Sequence, residues 1–503
     1  MPTIVTLAEW EARAVKIARD TRPFIGGRRV EAQTSSCFET FNPHDGSVVA
    51  KYPGCGTADV SHAVTAAREA FESGSWSSLA PSQRAAVLSK FADLIDAAHE
   101  ELALADSLEM GKPIRQSVQD VRVAADSMRG IAGMADKLHD AVLPSAPSAL
   151  SINQRVPHGV VAAIAPWNFP MNVAVNKIAA PLAVGNSVVL KPSEIASLSC
   201  LRLGDLAVEA GIPPGVLNVV PGLGGEAGKP LALHMDVDCL TFTGSTTIGQ
   251  QILQHAGQSN LKVVLLECGG KSPQIVLDDC GDMDALAESM VQGFVWNSGQ
   301  LCVSGTRILV ARSLKSELLP RLVKAVKARQ LGSPLDPNTD LGPVATPALR
   351  ERISRFEQQA VSQGAVSHSS EALLSDLPGN GCYVKPSLLT DVNDVMEVMR
   401  DEVFGPVAGV MWFDSPEEAV RLANNTRYGL AATVWTADIP LAHRLVRELK
   451  AGIVVVNTVA QPTDPLVSGA SCEPMKMSGF GVEGGMGGLL SYTRMRNLTF
   501  QFG

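Results

Sequence analysis

Short apolar runs rich in β-branched residues recur through the middle of the chain. Five of them start roughly 25 residues apart: GVVAAIA (159–165), SVVLK (187–191), VLNVV (216–220), CLTFT (239–243) and KVVLLE (262–267). The segments between them are compatible with helices, as in LSCLRLGDLAVEAG (198–211). Strands that alternate with helices at this spacing predict βαβ units, in which a parallel sheet is covered on both faces.

A second series of the same kind follows residue 302. Its predicted strands are RILVA (307–311), VAGVMWF (407–413), LAATVWT (430–436) and GIVVVN (452–457), with helices predicted near 314–329 and 416–424. Two α/β units in series are therefore expected. The segment SYTRMRNLTFQF (491–502) predicts a terminal strand, which needs an edge to pair with in its own chain or in a neighbouring subunit.

Length and composition exclude several classes of protein. The chain has 503 residues, and at about 150 residues per domain it is expected to form two or three domains. Hydrophobic residues make up 46% of the chain and charged residues 18%, as in globular proteins. The net charge is −9 and the Lys and Arg residues are scattered, so neither nucleic acid nor an anionic membrane is an expected partner. Small-molecule chemistry is the expected function.

The cysteines and the N-terminal segment favour the cytoplasm. The nine cysteines are widely spaced and form no C-x-x-C pair, so neither a disulfide framework nor a structural zinc site is expected. The N-terminal segment carries Glu9, Glu11 and Asp20 and lacks the apolar core of a signal peptide. The longest apolar stretch, near 160–175, is interrupted by Pro166 and Pro170, so no membrane span is expected.

Two glycine-rich turns are candidates for binding phosphates. In TFTGSTTIG, Gly244 follows a predicted strand and Gly249 lies in the start of a predicted helix, where exposed N–H groups attract anions. Gln250 stands where a P-loop would need Lys, which argues against hydrolysis of nucleoside triphosphates. The second turn, PGLGGEAG (221–228), carries a weaker G-x-G-x-x-A signal. Plain turns are the structural alternative for both.

The segment LKPSE (190–194) ends another predicted strand. Lys191 and Glu194 are candidates for bracketing a ribose. A carboxylate at this position would repel a 2′-phosphate and would favour NAD over NADP. The structural alternative is a solvated turn in which Ser193 caps the next helix.

Two further segments carry candidate reactive groups. In WNSGQLCVSG (296–305), Cys302 ends a predicted helix and is a candidate nucleophile, because thiolates attack carbonyls well. An unperturbed thiol is only about 3% ionised at pH 7, so its surroundings must activate it. In LLECGGK (265–271), Glu267 ends a predicted parallel strand, where a general base is well placed. The alternatives are a buried structural cysteine and a carboxylate that caps the next turn.

No other catalytic pattern competes with these segments. The histidines are dispersed and form no H-E-x-x-H or H-x-x-x-H pair, so no catalytic metal is expected. No G-x-S-x-G motif occurs, which leaves a serine hydrolase without support.

These segments, in this order and at this spacing, resemble the aldehyde dehydrogenase superfamily over essentially the whole chain. The matching segments are PWNFP (166–170), LKPSE (190–194), FTGST (242–246), LECGGK (266–271), GQLC (299–302) and EVFGPV (402–407). The N-terminal half, including FIGGRRV (24–30) and MGKPIRQS (110–117), is similar to bacterial members that act on amino-aldehydes and related semialdehydes.

The resemblance implies oxidation of an aldehyde to a carboxylic acid with NAD(P)+ and water, through a thiohemiacetal and a thioester on Cys302. Asn168 and the Cys302 N–H would hold the oxyanion, Glu267 would activate water, and Lys177 and Glu483 match positions of a proton relay. One alternative is a CoA-acylating enzyme, against which Glu267 argues. The other is a non-catalytic protein on the same fold, against which the presence of Asn168, Glu267 and Cys302 together argues.

The resemblance also implies the binding residues. The expected contacts with NAD, or alternatively NADP, are Ala165, Trp167, Lys191, Ser193, Glu194, Gly224, Gly228, Gly244, Ser245, Gly249, Glu402 and Phe404. The expected lining of the substrate tunnel is Phe169, Asn176, Trp296 and Leu301. Many relatives carry Trp where Asn176 stands and PFGG where this chain has SCEP (471–474), and the 458–473 loop and Cys268 also differ from theirs. A polar or aromatic semialdehyde is therefore the expected substrate.

The family fold implies an α/β architecture with two Rossmann-like parallel-sheet domains and a small β oligomerisation arm. The NAD(P)-binding domain would comprise residues 1–129 and 150–266, and the catalytic domain residues 267–484. The arm would use residues 130–149 and 485–503, which offers the terminal strand an edge. A homodimer or homotetramer is expected by analogy.

Overall fold

The computed structural model describes residues 5–370, 374–460 and 469–502. The strands in this part of the chain are β1 (Phe24–Ile25), β2 (Arg28–Arg29), β3 (Cys37–Phe41), β4 (Val48–Pro53), β5 (Ala141–Leu143), β6 (Ala149–Pro157), β7 (Val160–Ile164), β8 (Ser187–Lys191), β9 (Leu217–Val219), β10 (Cys239–Thr243), β11 (Val263–Glu267), β12 (Pro273–Val276), β13 (Arg307–Ala311), β14 (Val366–Ser369), β15 (Ser387–Thr390), β16 (Val407–Phe413), β17 (Tyr428–Gly429), β18 (Ala431–Trp435), β19 (Ile453–Val456), β20 (Met475–Lys476), β21 (Gly479–Phe480) and β22 (Thr493–Gln501).

Helices connect most of these strands. They are α1 (Leu7–Ala14), α2 (Thr57–Glu72), α3 (Pro81–Ala97), α4 (His99–Met110), α5 (Ile114–Met134), α6 (Pro170–Ala183), α7 (Leu198–Ala210), α8 (Lys229–Leu233), α9 (Thr246–Gln258), α10 (Met283–Val295), α11 (Lys315–Lys327), α12 (Pro347–Ser362), α13 (Glu397–Arg400), α14 (Pro416–Asn424), α15 (Ile439–Glu448) and α16 (Gly485–Ser491). Among the described residues, no helix combines the length and the apolar character that a bilayer crossing needs.

The first apolar series forms the core of an eight-stranded sheet in the order β2-β1-β9-β8-β7-β10-β11-β21. Neighbouring pairs from β9 to β11 are parallel, as the alternation of strands and helices predicts. All residues of β7 are buried: Val161 and Ala163 pack with α3 to α7, whereas Val160 and Ala162 face α2, α8 and α9. Burial on both faces explains why these strands are uninterrupted apolar runs.

The second series forms a seven-stranded sheet in the order β14-β15-β16-β13-β12-β18-β19. Only β14 at the edge is antiparallel to its neighbour among these described strands. In β13, Leu309 packs on the side of α12, α14 and α15, and Ile308 and Val310 face α10 and α11. The two predicted α/β units, with their parallel sheets, are therefore confirmed.

A three-stranded sheet, in the order β22-β6-β5, stands apart from the two large sheets. The predicted terminal strand is β22, which pairs antiparallel with β6 of its own chain from Thr493↔Pro157 to Gln501↔Ala149. Most of β6 lies in the range assigned above to the NAD(P)-binding domain, and α5 extends to Met134, inside the range assigned to the arm. The division of the chain into domains stays a prediction.

Candidate active site

Four of the twelve expected cofactor residues, and the expected base Glu267, end or directly follow parallel strands of the first sheet. Ala165 follows β7, Lys191 ends β8, Gly244 and Ser245 follow β10, and Glu267 ends β11. Because parallel strands have their carboxyl ends at one edge of a sheet, these side chains lie along a single edge. Ligand-binding crevices of open α/β sheets occur at this edge.

The turn after β10 forms the N-terminus of α9. Ser245 is the N-cap, and its hydroxyl accepts a hydrogen bond from Ile248 N at 3.4 Å. A Cβ on Gly249 would lie 2.9 Å from Cys268 Sγ, so only glycine lets this turn approach the end of β11. Free N–H groups and the helix dipole make such an N-terminus attractive to a phosphate.

The second glycine-rich turn lies beside Lys191. A Cβ on Gly228 would lie 3.8 Å from Lys191 Cδ, whereas nothing within 4 Å would meet one on Gly224. Lys191 is buried, and burial lowers the pKa of its ammonium. Its Nζ donates to Pro192 O at 2.9 Å and to Glu194 Oε2 at 3.2 Å.

Ser193 is not the cap of the following helix, contrary to the structural alternative considered above. Helix α7 begins at Leu198, and its N-cap is Ser197. The buried carboxylate of Glu109 accepts hydrogen bonds from both Ser197 N and Leu198 N at 2.9 Å. Ser193 Oγ instead accepts from Ile195 N at 3.3 Å and closes a local turn.

The nucleophile loop, residues 296–305, has a strained backbone. The predicted helix does not reach Cys302, because α10 ends at Val295. Asn297 and Ser298 then adopt left-handed conformations, with φ of 50° and 53°. Such conformations cost about 1–3 kcal/mol each and persist only where the surroundings impose them.

Buried amides impose the conformation of this loop. Asn297 N donates to Gln116 Oε1 at 2.9 Å, and Asn297 Nδ2 donates to Asn168 O at 2.9 Å. Asn168 Nδ2 in turn donates to Gln300 O at 2.9 Å, and Gln300 Oε1 accepts from Ala345 N at 2.8 Å. Gln116, Asn297 and Gln300 were not among the predicted site residues. Asn297 and Gln300 had an available signal, because they are polar residues close in sequence to the candidate nucleophile.

The electrostatic surroundings of Cys302 favour its neutral thiol. Burial raises the pKa of Cys302 to about 12, and the carboxylates of Glu402 and Glu267 add to the shift. The backbone N–H groups of Cys302 and Val303 oppose it. A Cβ on Gly270 would lie 2.3 Å from the Cys302 carbonyl oxygen, so this glycine lets the end of β11 contact the nucleophile loop.

Alkylation of Cys302 in the cofactor-free protein is expected to be slow at neutral pH. With a pKa of about 12, only about one thiol in 10⁵ is ionised at pH 7, and the iodoacetamide rate should rise roughly tenfold per pH unit between pH 7 and 10. Peptide mass spectrometry follows the modification of Cys302, with the exposed Cys37 as an internal reference for reagent access. A plateau in the Cys302 rate below pH 9 would contradict this assignment.

Glu267 lies among other carboxylates. Burial raises the pKa of Glu267 well above its usual range, the charge of Glu483 raises it further, and Lys177 opposes the shift. Its Oε1 is buried and has no hydrogen-bond partner among the described residues. A carboxylate with a raised pKa and a free oxygen is suited to exchanging a proton near neutral pH.

Lys177 and Glu483, the expected relay residues, contact each other. Lys177 Nζ is buried and lies 2.6 Å from Glu483 Oε1 and 2.9 Å from Thr241 Oγ1. Backbone hydrogen bonds in both directions, each 2.9 Å, join Glu483 to Cys472. The charges of Glu267 and Glu483 contribute to the raised pKa of Cys472, about 12, for which burial is the main cause. Cys472 is a neighbour of the relay that sequence analysis did not single out.

Glu402 and Phe404 connect the two large sheets. Gly270 N donates to Glu402 Oε1 at 3.0 Å, and burial raises the pKa of Glu402 to about 7. A Cβ on Gly269 would lie 2.2 Å from Glu402 Oε2, so the glycine at this position leaves room for the carboxylate. Phe404 has a φ of 61°, and its ring meets Trp167 edge-on with centroids 5.4 Å apart.

An apolar cluster surrounds the nucleophile. Its buried members are Phe169, Leu301, Val303, Leu430 and Ala431, and the partly buried Val173, Trp296, Cys302, Ile453 and Ala460 pack against it. Three of the four expected tunnel residues therefore lie together with Cys302. The fourth, Asn176, is exposed on α6. Part of the divergent 458–473 loop, including Asp464, lies outside the described residues.

A family model decides the assignment. Residues 30–498 match the model described as the aldehyde dehydrogenase family. The chain belongs to the aldehyde dehydrogenase family. The Escherichia coli NADP/NAD-dependent aldehyde dehydrogenase PuuC is 43% identical over 90% of this chain and 90% of its own. The aminoacetaldehyde dehydrogenase of Pseudomonas aeruginosa is 39% identical over 96% of this chain and 95% of its own.

Solved structures of aldehyde dehydrogenases agree with this assignment. An indole-3-acetaldehyde dehydrogenase in complex with NAD+ superposes with a TM-score of 0.95 at 42% identity, covering 99% of this chain and 100% of the other. This protein is therefore an NAD(P)-dependent aldehyde dehydrogenase with the fold of its relatives.

Proposed function

We propose that this aldehyde dehydrogenase oxidises a polar or aromatic aldehyde to the carboxylic acid with water, through a thioester on Cys302. The observation that carries the proposal is the surroundings of Cys302. Its sulfur lies in an aromatic and aliphatic cluster, within the electrostatic reach of Glu267 and Glu402. A carbonyl compound bound there meets a nucleophile, a base and an apolar wall.

The residues at the strand ends fit NAD(P). The α9 N-terminus and the open space at Gly224 suit the phosphates, Lys191 and Glu194 suit the adenosine ribose, and Glu402 with Phe404 suits the nicotinamide end. Glu194 is partly exposed and would repel a 2′-phosphate, which favours NAD over NADP. When bound, NAD(P)+ would supply a hydride acceptor.

The first half of the reaction uses Cys302 and Asn168. The Cys302 thiol gives its proton to the Glu267 carboxylate, which lies within electrostatic reach, the sulfur adds to the aldehyde carbon, and the carbonyl oxygen takes up the negative charge. Asn168 Nδ2–H and the Cys302 N–H donate to that oxygen, and removal of one such donor costs roughly 3 kcal/mol of transition-state stabilisation. Loss of the hydride leaves a thioester on Cys302 Sγ.

The second half uses Glu267. Its carboxylate takes a proton from a water molecule, whose oxygen attacks the thioester carbon. The carbon–sulfur bond then breaks, the carboxylic acid leaves, and the sulfur regains a proton. The Lys177–Glu483 pair offers a route by which the proton on Glu267 passes on.

The names of two relatives point to different aldehydes. One is named for aminoacetaldehyde and another for indole-3-acetaldehyde. In this chain, Phe169 and Trp296 in the cluster around Cys302 favour an aromatic body.

A panel of aldehydes tests the proposed function. Aliphatic, amino, acidic and aromatic aldehydes are incubated with NAD and with NADP, each without and with CoA, and NADH or NADPH is followed at 340 nm. Aromatic aldehydes with NAD are expected to give the highest kcat/KM. A strict requirement for CoA, or no reduced cofactor from any aldehyde, would contradict the proposal.

A homodimer or homotetramer is proposed as the assembly. The outer strand β22 carries the exposed apolar residues Met495 and Phe500, and Phe502 directly after it is also exposed. An exposed strand edge with apolar side chains is a ready template for pairing with another chain. A monomer in light scattering at micromolar concentration would contradict this assembly.

A further inference from the structure

Two asparagines on α6 form a chain of amides with a single possible orientation. Asn172 Nδ2 donates to the backbone carbonyl of Asp120 at 3.2 Å, and Asn176 Nδ2 donates to Asn172 Oδ1 at 3.1 Å. A carbonyl oxygen only accepts, so Asn172 must present its NH₂ group to Asp120. Its Oδ1 therefore faces Asn176, whose NH₂ group must turn inward to meet it.

This chain leaves the oxygen of Asn176 as the outward group. Asn172 is fully buried, whereas Asn176 is exposed. If the Asn176 amide were flipped, its oxygen would face the oxygen of Asn172. The hydrogen-bond network therefore fixes the orientation of the Asn176 amide. Asn176 Oδ1 is thus a hydrogen-bond acceptor of fixed direction.

Asn176 shares a helix face with the apolar cluster around the nucleophile. Positions 169, 173 and 176 follow the i, i+4, i+7 spacing that aligns side chains along one side of a helix. Phe169 and Val173 pack in the cluster that contains Cys302 and Trp296. Asn176 lies one helical turn beyond Val173 on this face. Its acceptor oxygen therefore lies at the outer end of the side-chain row formed by Phe169, Val173 and Asn176, along which an aldehyde bound to Cys302 would extend.

The charges next to this wall compensate each other. Lys112 Nζ is buried, forms an ion pair with the Asp120 carboxylate, and lies 3.5 Å from the centroid of the Phe169 ring. The Asp120 carboxylate is thereby matched by the Lys112 ammonium, and Asn172 contacts only the backbone carbonyl of Asp120 among the contacts of the described residues. Asn176 Oδ1 is consequently a neutral acceptor, which suits a neutral donor.

We propose that Asn176 Oδ1 makes the enzyme select aldehydes whose aromatic body carries an uncharged O–H or N–H donor remote from the aldehyde group. The inference rests on the proposed function and narrows its substrate class. An exposed hydrogen bond of this kind is worth about a three- to tenfold preference.

Matched substrates and isosteric variants test the proposal. The aldehydes are 3- and 4-hydroxyphenylacetaldehyde against phenylacetaldehyde, and indole-3-acetaldehyde against its N-methyl derivative. Each pair is measured with the wild type, with Asn176→Leu, which keeps the shape and removes the acceptor, and with Asn176→Asp, which keeps an acceptor oxygen. The wild type is expected to prefer the donor-bearing member of at least one pair by about three- to tenfold in kcat/KM.

The variants separate the hydrogen bond from the shape of the tunnel. In Asn176→Leu the ratio of kcat/KM between the paired aldehydes is expected to fall to about one. The loss should come from KM rather than kcat, because the hydrogen bond is equally strong in the ground state and the transition state. Asn176→Asp is expected to lose part of the preference, because its carboxylate cannot donate to Asn172 Oδ1 and its acceptor oxygen is no longer held in a fixed direction. The inference is overturned if Asn176→Leu keeps the preference of the wild type, or if the wild type shows no preference in any pair. In either case the proposed function still stands, provided that phenylacetaldehyde is oxidised. Failure of every aldehyde overturns both.

Discussion

Replacing Cys302 by alanine is expected to lower kcat by at least about 10⁴-fold, because removal of a catalytic nucleophile leaves only binding and the oxyanion donors. No other group at this position can form the thioester. The fold should survive, since the loop is held by Asn297, Gln300 and Gln116 rather than by the sulfur. The measurement is NADH formation with the best aldehyde of the panel, together with the affinity for NAD by fluorescence quenching.

A second cysteine supplies the control for this experiment. Cys280 lies in the turn after β12, where its Sγ donates to Trp435 O at 3.1 Å, and burial raises its pKa to about 11. Cys280→Ala is expected to retain the activity of the wild type. If Cys302→Ala turned over at a comparable rate, the nucleophile would have to be assigned to another residue.

Glu267→Gln is expected to separate the two halves of the reaction. Glutamine has nearly the same shape but cannot take a proton from the thiol or from water, so the thioester should form more slowly, with solvent taking the thiol proton, and then persist. A burst of about one NADH per active site is expected, followed by a steady rate about 10²- to 10⁴-fold below that of the wild type. Rapid mixing with detection at 340 nm measures both phases, and mass spectrometry detects the acylated Cys302.

The pH dependence offers an independent check on Glu267. Burial and the charge of Glu483 raise the pKa of Glu267, so the base is protonated over a wider acidic range than an ordinary carboxylate. Thioester hydrolysis in the wild type should therefore rise with pH through the raised pKa and then level off. In Glu267→Gln that rise should be absent, and hydroxylamine, which needs no base, should release the acyl group. Fast steady turnover in the variant would show that another base serves.

The positions of the central strands were accessible from the sequence because a parallel sheet buries both of its faces. Such burial requires uninterrupted apolar runs, and the runs at 187–191 and 239–243 coincide with β8 and β10. Turn chemistry identified the α9 N-terminus in the same way, since Gly244 and Ser245 follow a strand directly. These are local signals, and a single sequence carries them in full.

The pairing of distant segments was not accessible in this way. The helix expected to end at Cys302 stops at Val295, because Gln116 from α5 and Asn168 from the turn after β7 hold the loop in left-handed conformations. Local sequence made Cys302 and Glu267 candidates and the likeness to one family added Asn168, yet neither revealed the amides around them. Those contacts join residues far apart in the chain, for which no periodicity exists.

The sequence by itself determined the apolar pattern, and with it the two parallel sheets and the chemical groups at their strand ends. Only the tertiary structure decided the state of those groups. The raised pKa of Cys302 and the buried oxygen of Glu267 depend on desolvation by surrounding elements, and the outward oxygen of Asn176 depends on the contact of Asn172 with Asp120 of α5. The physical reason is that desolvation and hydrogen-bond direction are properties of the packed interior, whereas hydrophobic periodicity belongs to the chain itself.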